Sequence, residues 1–486
     1  MARRTWGNGG VKSRLNPYNR RMDARLAAAV AAGKAATWLS RRLGAGAGSN
    51  FPGKVILRMH GRAPEAMVSR LPGGCVLVSG TNGKTTTSNL LAGMLRAAGM
   101  IPVHNRVGAN LMTGITAALA QSSSARGIPR GDIGLFEVDE ATLPAAVERL
   151  HPRMVIVTNL FRDQLDRYGE LESLARRMGS ALASLGSGAD VLLNADDPLV
   201  ASLGRDTGAS VHYFGIDSAE ETEGGLRHAA DSKHCRECGS PLGFEAHYFG
   251  HMGIYSCPAC GLSRPAPDFA ASRVELAGTS GSRVSVVTPA WSGEIRLPLP
   301  GLYNVHNLLA ALGGAQLLGL GEEAVRRGVE GYTTAFGRGE RIPVDGRTLF
   351  LVLSKNPTGF NEVIRTLRGE GEGMVVLAAL NDRIADGRDV SWIWDVDFEE
   401  LAPLPRRLVA TGTRAWDMAL RMKYAGLGDR HLEVREDLRD ALRAALDAAG
   451  EGETVYALTT YTATLELRRL LTRMGAVPGL WKEGRP

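Results

Sequence analysis

Residues 76–87 read VLVSGTNGKTTT, and this stretch decides the fold of the first half of the chain. The apolar residues 76–78 predict a buried strand, and the residues from Lys84 onward predict a helix with its apolar side chains on one face. The residues between them include two glycines and predict a tight turn. A strand, a turn and a helix in this order are typical of a parallel α/β sheet.

The turn and the helix start predict a cradle for polyphosphate. Turn N–H groups and the helix dipole can meet phosphate oxygens, Lys84 can neutralise their charge, and the Thr85 hydroxyl can reach Mg²⁺. The general P-loop has a glycine five residues before Gly83, where this chain has Val78. A glycine turn that binds nothing is the alternative interpretation, which the Lys-Thr-Thr run at the helix start disfavours.

Size and composition narrow the class of protein. A chain of 486 residues is too long for one hydrophobic core and predicts about two to four domains. Its 57 basic and 51 acidic residues leave a net charge of +6, which suits an anionic substrate or a membrane surface. We find no motif that reads DNA or RNA and expect no nucleic-acid partner. No apolar run approaches the ~20 residues that span a bilayer.

The chain divides into three predicted regions. Residues 1–50 combine basic residues with an alanine-rich helical pattern, and we expect a basic extension and a helix, either at a membrane surface or packed on the protein. Residues 51–336 alternate apolar strands with helical patterns and predict a central α/β domain with a mostly parallel sheet. We interpret residues 54–58 as its first strand. Residues 337–486 predict a second, Rossmann-like α/β domain.

An insertion over about residues 216–298 interrupts the central domain and carries four of the five cysteines. They form two Cys-x2-Cys pairs at a spacing that fits four thiolates around Zn²⁺: Cys235, Cys238, Cys257 and Cys260. Two disulfides are the alternative, which a reducing cytoplasm disfavours. Four cysteine ligands leave no position for water, so a structural zinc is expected. Only Cys75 remains, as a predicted core residue, so no cysteine is left as a catalytic nucleophile.

Acidic side chains follow the next predicted strand, in the run EVDE at residues 137–140. Open α/β sheets bind ligands at the carboxyl ends of strands, and a Glu there can hold Mg²⁺ between ATP phosphates. Alternation along the strand predicts Glu137 and Asp139 on one face. A solvated loop is the alternative, and the position after a P-loop favours Glu137 as a metal ligand.

These motifs together resemble the Mur ligase family. GTNGKTT, the strand-end Glu, TNLFRDQLDRYGE at 158–170, LNADDP at 193–198 and GLYNVHN at 301–307 occur in the order found in that family. Two departures from the family's motifs concern the second Mg²⁺ site or the binding of the usual amino-acid substrate. Gln164 stands where Mur ligases usually carry a His, and no Lys occurs between Lys84 and Lys233, although the family uses a carbamylated Lys in that interval.

The last domain resembles one branch of the family, the ligase subunits of lipid II isoglutaminyl synthases. The resemblance lies in FGRGER at 336–341, KNPTGFN at 355–361 and NDRIADGRDVSWIWD at 381–395. It implies ATP-dependent amidation of the α-carboxylate of D-glutamate in lipid II, through an acyl phosphate, in peptidoglycan synthesis. It also implies a cytoplasmic heterodimer at the inner face of the membrane, whose glutaminase subunit, GatD, supplies ammonia.

The resemblance also implies residue roles. An Asp of the last domain would complete the Cys-His pair of the glutaminase, and Asp382, Asp386 and Asp389 remain open as candidates. Lys84 and Glu137 are the other expected catalytic residues, and Thr85 and Glu137 the expected Mg²⁺ ligands. The expected ATP contacts are Gly80, Thr81, Asn82, Gly83, Lys84, Thr85, Thr86, Asn159, Asn304, Asn307, Arg338 and Lys355. Of these, Arg338 and Lys355 could equally be polar residues of the surface.

Two other functions stay open at this point. The chain could be a Mur-like ligase that adds an amino acid to a peptide or polymer and needs no glutaminase. It could also be a zinc-ribbon scaffold that binds nucleotide and recruits a partner without chemistry.

Overall fold

The computed structural model describes residues 23–42, 50–105, 109–162, 171–218, 232–332 and 337–477. In this part of the chain two open sheets carry helices on both faces, and a small hairpin stands apart. The helices are α1 (Ala24–Arg42), α2 (Phe51–Met59), α3 (Ala63–Val68), α4 (Lys84–Ala97), α5 (Met112–Ser122), α6 (Leu143–Leu150), α7 (Leu171–Ala183), α8 (Pro198–Ala201), α9 (Leu302–Leu317), α10 (Glu322–Glu330), α11 (Pro357–Arg368), α12 (Phe398–Leu401), α13 (Ala415–Tyr424), α14 (Leu438–Ala448) and α15 (Tyr461–Arg473).

The strands of the first half are β1 (Cys75–Ser79), β2 (Pro102–His104), β3 (Ile133–Glu137), β4 (Met154–Val157), β5 (Asp190–Asn194), β6 (Ser210–Ile216), β7 (Gly243–Phe249), β8 (Met252–Ser256), β9 (Phe269–Leu276), β10 (Ser282–Val287) and β11 (Ser292–Leu297). The strands of the second half are β12 (Arg338–Val344), β13 (Arg347–Leu353), β14 (Met374–Ala379), β15 (Pro405–Thr411), β16 (Leu432–Val434) and β17 (Thr454–Thr459).

The larger sheet has nine strands in the order β11-β10-β9-β6-β5-β4-β1-β3-β2. In this order, the seven strands from β9 to β2 pair in parallel, and β10 and β11 add an antiparallel edge. Val76 and Val78 of β1 face a core built with α4, α9 and α10, while Cys75 and Leu77 face the core on the other side. Burial on both faces explains why the strand before the P-loop reads as a continuous apolar run.

Residues 54–58 are helical, so the prediction of a strand there was wrong. They lie in α2, which buries Pro52, Gly53 and Ile56 against its neighbours. A Cβ at Gly53 would lie 1.7 Å from the carbonyl oxygen of Thr113, so this glycine lets α2 approach α5 closely. The apolar run Val55-Ile56-Leu57 is too short for periodicity to separate a strand from a helix.

The predicted insertion is divided in the structure. The cysteine-bearing region forms its own two-stranded sheet, β7–β8, whereas β9, β10 and β11 join the edge of the nine-stranded sheet. The second sheet has six strands in the order β12-β13-β17-β14-β15-β16, and its mostly parallel pairing agrees with the predicted Rossmann-like α/β fold. No helix in the described ranges is long and apolar enough to cross a membrane.

Candidate active site

The turn after β1 has the backbone that the sequence predicts. Gly80 and Gly83 both have positive φ angles, 129° and 86°. A Cβ at Gly83 would lie 2.0 Å from Oδ1 of Asn307, and one at Gly80 would lie 2.2 Å from Oγ1 of Thr158. Glycine is therefore required at both positions by conformation and by space. Helix α4 starts at Lys84 and points its N-terminus at this turn.

Lys84 is buried at the centre of the cradle. Its Nζ donates to Oε2 of Glu140 at 3.0 Å, to the carbonyl oxygen of Thr81 at 3.2 Å and to the carbonyl oxygen of Gly80. Burial favours the neutral amine, but the carboxylates of Glu140 and Glu137 outweigh it and raise the pKa of Lys84 above its ordinary value. A charged ammonium group is thus held where a phosphate would bind.

Glu140 is a site residue that sequence reasoning missed. Strand β3 ends at Glu137, so the alternation that predicts Asp139 on the same face as Glu137 stops there. Asp139 Oδ1 accepts from the backbone N–H of Ala141 at 3.1 Å, and Glu140 is the carboxylate that pairs with Lys84. Burial acts to raise the pKa of Glu140, but Lys84 and then Lys355 lower it overall.

Thr85 and Glu137 form a second pair beside Lys84. The Thr85 hydroxyl donates to the Glu137 carboxylate, with Oγ1 at 2.9 Å from Oε2 and 3.0 Å from Oε1. Burial raises the pKa of Glu137, against the opposing effects of Lys84 and Thr85. A hydroxyl and a carboxylate at this spacing offer the oxygen ligands that Mg²⁺ prefers, so these residues fit the metal expected here.

Asparagines from two other segments shape the turn. The Asn159 side chain accepts from the backbone N–H of Asn82 at 2.8 Å and donates to the carbonyl oxygen of Asn82 at 3.1 Å. In α9, Nδ2 of Asn307 donates to Oδ1 of Asn304 at 3.0 Å, and Asn304 donates to the carbonyl oxygen of Pro300 at 2.7 Å. These side chains are buried, so the turn is held in shape by the protein itself.

The six-stranded sheet supplies the opposite wall of the cleft. Asn356 Nδ2 donates to Oδ1 of Asn82 at 3.1 Å, while Oδ1 of Asn356 accepts from the Gly359 N–H at 2.9 Å and caps α11. The lining joins most of the expected ATP contacts with residues that the sequence did not single out, above all Phe249 and Tyr303. Of the expected contacts, the cleft brings together Asn82, Gly83, Thr86, Asn159, Asn304, Asn307, Arg338 and Lys355.

The three candidate aspartates follow β14 and differ in environment. Asp386 is buried and accepts from the backbone N–H of Thr462 at 2.7 Å and from its hydroxyl. Burial raises the pKa of Asp386, opposed by the Thr462 hydrogen bonds. Asp382 is partly exposed and accepts from the Thr413 hydroxyl at 2.8 Å, and Asp389 is exposed. Asp389 accepts from the Ser391 N–H at 2.8 Å, and this bond lowers the pKa of Asp389.

The cysteine pairs form two similar knuckles. The N–H of Gly239 donates to the carbonyl oxygen of Cys235 at 2.8 Å, and the N–H of Gly261 donates to that of Cys257 at 3.0 Å. The ligand sulfurs of the four cysteines (Cys235, Cys238, Cys257 and Cys260) all lie within 4.8 Å of one another. Zn–S bonds of about 2.3 Å in a tetrahedron need such a separation, so the four thiolates fit a zinc ion.

Cys75, the remaining cysteine, is fully buried, and burial raises the pKa of its thiol to about 12. It therefore behaves as a core residue, as expected from the sequence. Gln164 and the rest of residues 163–170 lie outside the described residues.

Comparisons with known proteins agree with this architecture. The family model of the Mur ligase middle domain matches residues 78–255, and that of the MurT ligase C-terminal domain matches residues 353–464. The subunit MurT of lipid II isoglutaminyl synthase (glutamine-hydrolyzing) from Staphylococcus aureus (strain N315) is 32% identical over 429 residues, which cover 88% of this chain and 93% of the relative. The MurT subunit from Streptococcus pneumoniae (strain ATCC BAA-255 / R6) is 31% identical, over 93% of this chain and 98% of the relative.

Solved structures show the same fold at lower identity. MurF from Acinetobacter baumannii has a TM-score of 0.64 at 18% identity and covers 87% of this chain and 80% of its own. The pseudomurein peptide ligase type C from Methanothermus fervidus has a TM-score of 0.62 at 20% identity and covers 82% and 78%. The predicted fold class is confirmed, and the chain belongs to the MurT branch of the Mur ligase family.

Proposed function

We propose that this chain is the ATP-dependent ligase subunit of a lipid II isoglutaminyl synthase, which amidates the α-carboxylate of D-glutamate in the lipid II stem peptide. The relatives described above are named as subunits of lipid II isoglutaminyl synthase, and the chain covers almost their whole length. The observation that carries the proposal is the buried Lys84, charged and held between Glu140 and the P-loop carbonyls.

When ATP binds, its phosphates replace the partners that Lys84 has within the protein. A phosphate oxygen replaces Glu140 as the counter-ion of the ammonium group, while the turn amides and the N-terminus of α4 meet the remaining charge. Thr85 and Glu137 would hold Mg²⁺, which would neutralise charge on the phosphates. Arg338 and Lys355 add positive charge from the opposite wall of the cleft.

The chemistry needs activation because a carboxylate is a poor electrophile. Its oxygen attacks the γ-phosphorus, the bond to the β-phosphate oxygen breaks, and an acyl phosphate and ADP form. Ammonia then attacks the acyl carbon, phosphate leaves, and a proton is lost to give the amide. The cradle lowers the first barrier by stabilising charge on the transferring group.

The nitrogen comes from a glutaminase partner, GatD, in a heterodimer. Glutamine hydrolysis needs a reactive thiolate, and in this chain four cysteines form the zinc knuckles while Cys75 is buried. Asp382 is our candidate for the carboxylate that orients the partner's histidine. It is partly exposed and already aligned by the Thr413 hydroxyl, whereas both hydrogen bonds of Asp386 tie it to α15. Asp389 is the second candidate.

Lipid II carries its stem peptide on a membrane-anchored carrier, so the enzyme works in the cytoplasm at the inner face of the membrane. The zinc of the four-cysteine site has a structural role, because all four ligand positions are taken by thiolates.

The test is amide formation on lipid II with ATP and either glutamine or ammonium, with and without the partner. We expect ammonium to support turnover by the isolated chain and glutamine to require the partner. Glutamine turnover by the chain alone contradicts the proposal, as does ATP turnover that depends on an added amino acid, which would indicate the amino-acid-adding ligase instead.

A further inference from the structure

The zinc-bearing hairpin reaches the nucleotide cleft with its tip. Phe249 is the last residue of β7 and lines the cleft together with Asn82, Asn304 and Lys355. The cysteines lie at the other end of the hairpin, where Cys257 directly follows β8. One small sheet thus connects the metal site to the wall of the nucleotide site.

Phe249 is held firmly at this wall. It is only 4% exposed, and its ring lies edge-on to His306, with centroids 5.4 Å apart, and 6.3 Å from the ring of Phe161. Polar residues are the more numerous in the lining around it, and Tyr303 is the other aromatic residue among the described lining residues. Aliphatic residues of the lining add apolar surface: Val352, Leu353 and Val363. Phosphates need the polar end of such a cleft, and a purine needs an aromatic or apolar face to stack on.

The hairpin tip is also fastened to both walls of the cleft. Arg365 of α11 donates to the carbonyl oxygen of Tyr248 at 2.9 Å. His251 lies in the turn after Phe249, with Nε2 at 3.3 Å from Oδ1 of Asp197, which caps α8. The tip therefore has a fixed position relative to the P-loop sheet and to the second sheet.

The base of the hairpin has little apolar support of its own. Its buried cluster comprises Cys235, Leu242, Tyr255 and Cys257, whereas Tyr248, Phe249 and Met252 at the tip belong to the main core. An isolated two-stranded sheet is marginal in water, so the metal supplies the order that the base lacks.

We infer that the zinc ribbon forms part of the adenine site, with Phe249 as the residue on which the base packs, so that zinc occupancy sets the affinity for nucleotide. This inference rests on the proposed function, since it takes ATP as the ligand of the cleft. Phe249 is a specificity residue for the base and has no role in binding the phosphates.

The experiment compares binding of MgATP with binding of magnesium tripolyphosphate, which lacks a base, by calorimetry on the full chain. For Phe249→Leu we expect about a tenfold weaker ATP affinity and unchanged tripolyphosphate affinity. Phe244→Leu is the matched control, because Phe244 lies in the same strand and packs toward Tyr255 at the base, with ring centroids 6.3 Å apart. Its zinc content is measured as well, and with zinc retained it should bind both ligands as the wild type does.

The zinc arm uses Cys238→Ser, with zinc content measured directly. We expect this variant to lose ATP affinity to a similar extent and to keep tripolyphosphate affinity, and Phe249→Leu added to it should cost little more. Tripolyphosphate binding reports in each variant that the P-loop sheet is folded.

Equal weakening of both ligands in Phe249→Leu, or no weakening of ATP, overturns the inference while the proposed function stands. Unchanged ATP affinity in zinc-free Cys238→Ser overturns the coupling to zinc. A wild-type chain that binds neither ligand overturns the proposed function, and the inference with it.

Discussion

The two acidic regions of this chain, the phosphate cradle and the segment after β14, differ in how deeply their carboxylates are buried. Glu137 and Glu140 are buried and already bonded to Thr85 and Lys84, so both carboxylates of the cradle have partners from the same chain. After β14, Asp382 is partly exposed, accepts from the Thr413 hydroxyl and lies 3.8 Å from Nη1 of Arg414. Asp389 is exposed and accepts from the Ser391 N–H. Buried carboxylates suit a site that this chain operates alone, and accessible carboxylates held in position suit a site that a partner completes.

The largest expected effect tests the phosphate cradle. Lys84→Ala removes the buried ammonium group of the cradle, and we expect amidation to fall by about 10³-fold with ammonium and with glutamine alike. Rates with both nitrogen sources on the reconstituted complex measure this. If amidation survives the change, catalysis by this P-loop is wrong and the scaffold interpretation gains support.

The next largest effect distinguishes the role of the segment after β14 from that of the phosphate cradle. Asp382→Asn in the complex should lower the glutamine-dependent rate by about 10²-fold or more, since an amide cannot stabilise a protonated histidine, and should leave the ammonium-dependent rate unchanged. Asp389→Asn and Asp386→Asn are made in parallel. A loss confined to Asp389→Asn would move the assignment to that residue, and equal losses with both nitrogen sources would remove Asp382 from the glutaminase site.

A smaller effect tests the role of Glu140 in the phosphate cradle. Glu140→Gln leaves Lys84 with less counter-charge, and we expect the free chain to lose about 2 kcal/mol of stability. ATP should then raise the melting temperature of this variant more than that of the wild type, because phosphate restores the missing charge. Equal ATP-induced shifts in the two proteins would show that Glu140 is not displaced by nucleotide.

The smallest effect concerns the contact between the two sheets. Asn356→Ala removes the hydrogen bond to Asn82 and the cap of α11, and we expect about a fivefold weaker ATP affinity. Asp437→Ala is the matched control, since Asp437 caps α14 through the N–H groups of Arg439 and Asp440. If both variants bind ATP equally well, the loss of a helix cap explains any effect on stability and the contact to Asn82 has no role in binding.

Sequence patterns predicted the structure correctly where the residues that contact one another are also close in the sequence. The strand, turn and helix of residues 76–87 and the two cysteine pairs match their predictions, because a short strand, a glycine turn and a knuckle each involve only a few consecutive residues. The helix at Phe51–Met59 escaped prediction because its apolar run is short and its burial depends on α1 and α5.

The sequence by itself determined the phosphate cradle, the four-thiolate site, the alternation of strands and helices, and the lack of a thiol to spare for glutamine hydrolysis. Only the tertiary structure decided that Glu140 pairs with Lys84, that Asn356 contacts Asn82 and that Phe249 lines the cleft. These pairs are distant in sequence, and their contacts exist only because the sheets, the helices and the zinc hairpin pack in one arrangement, which no local pattern encodes.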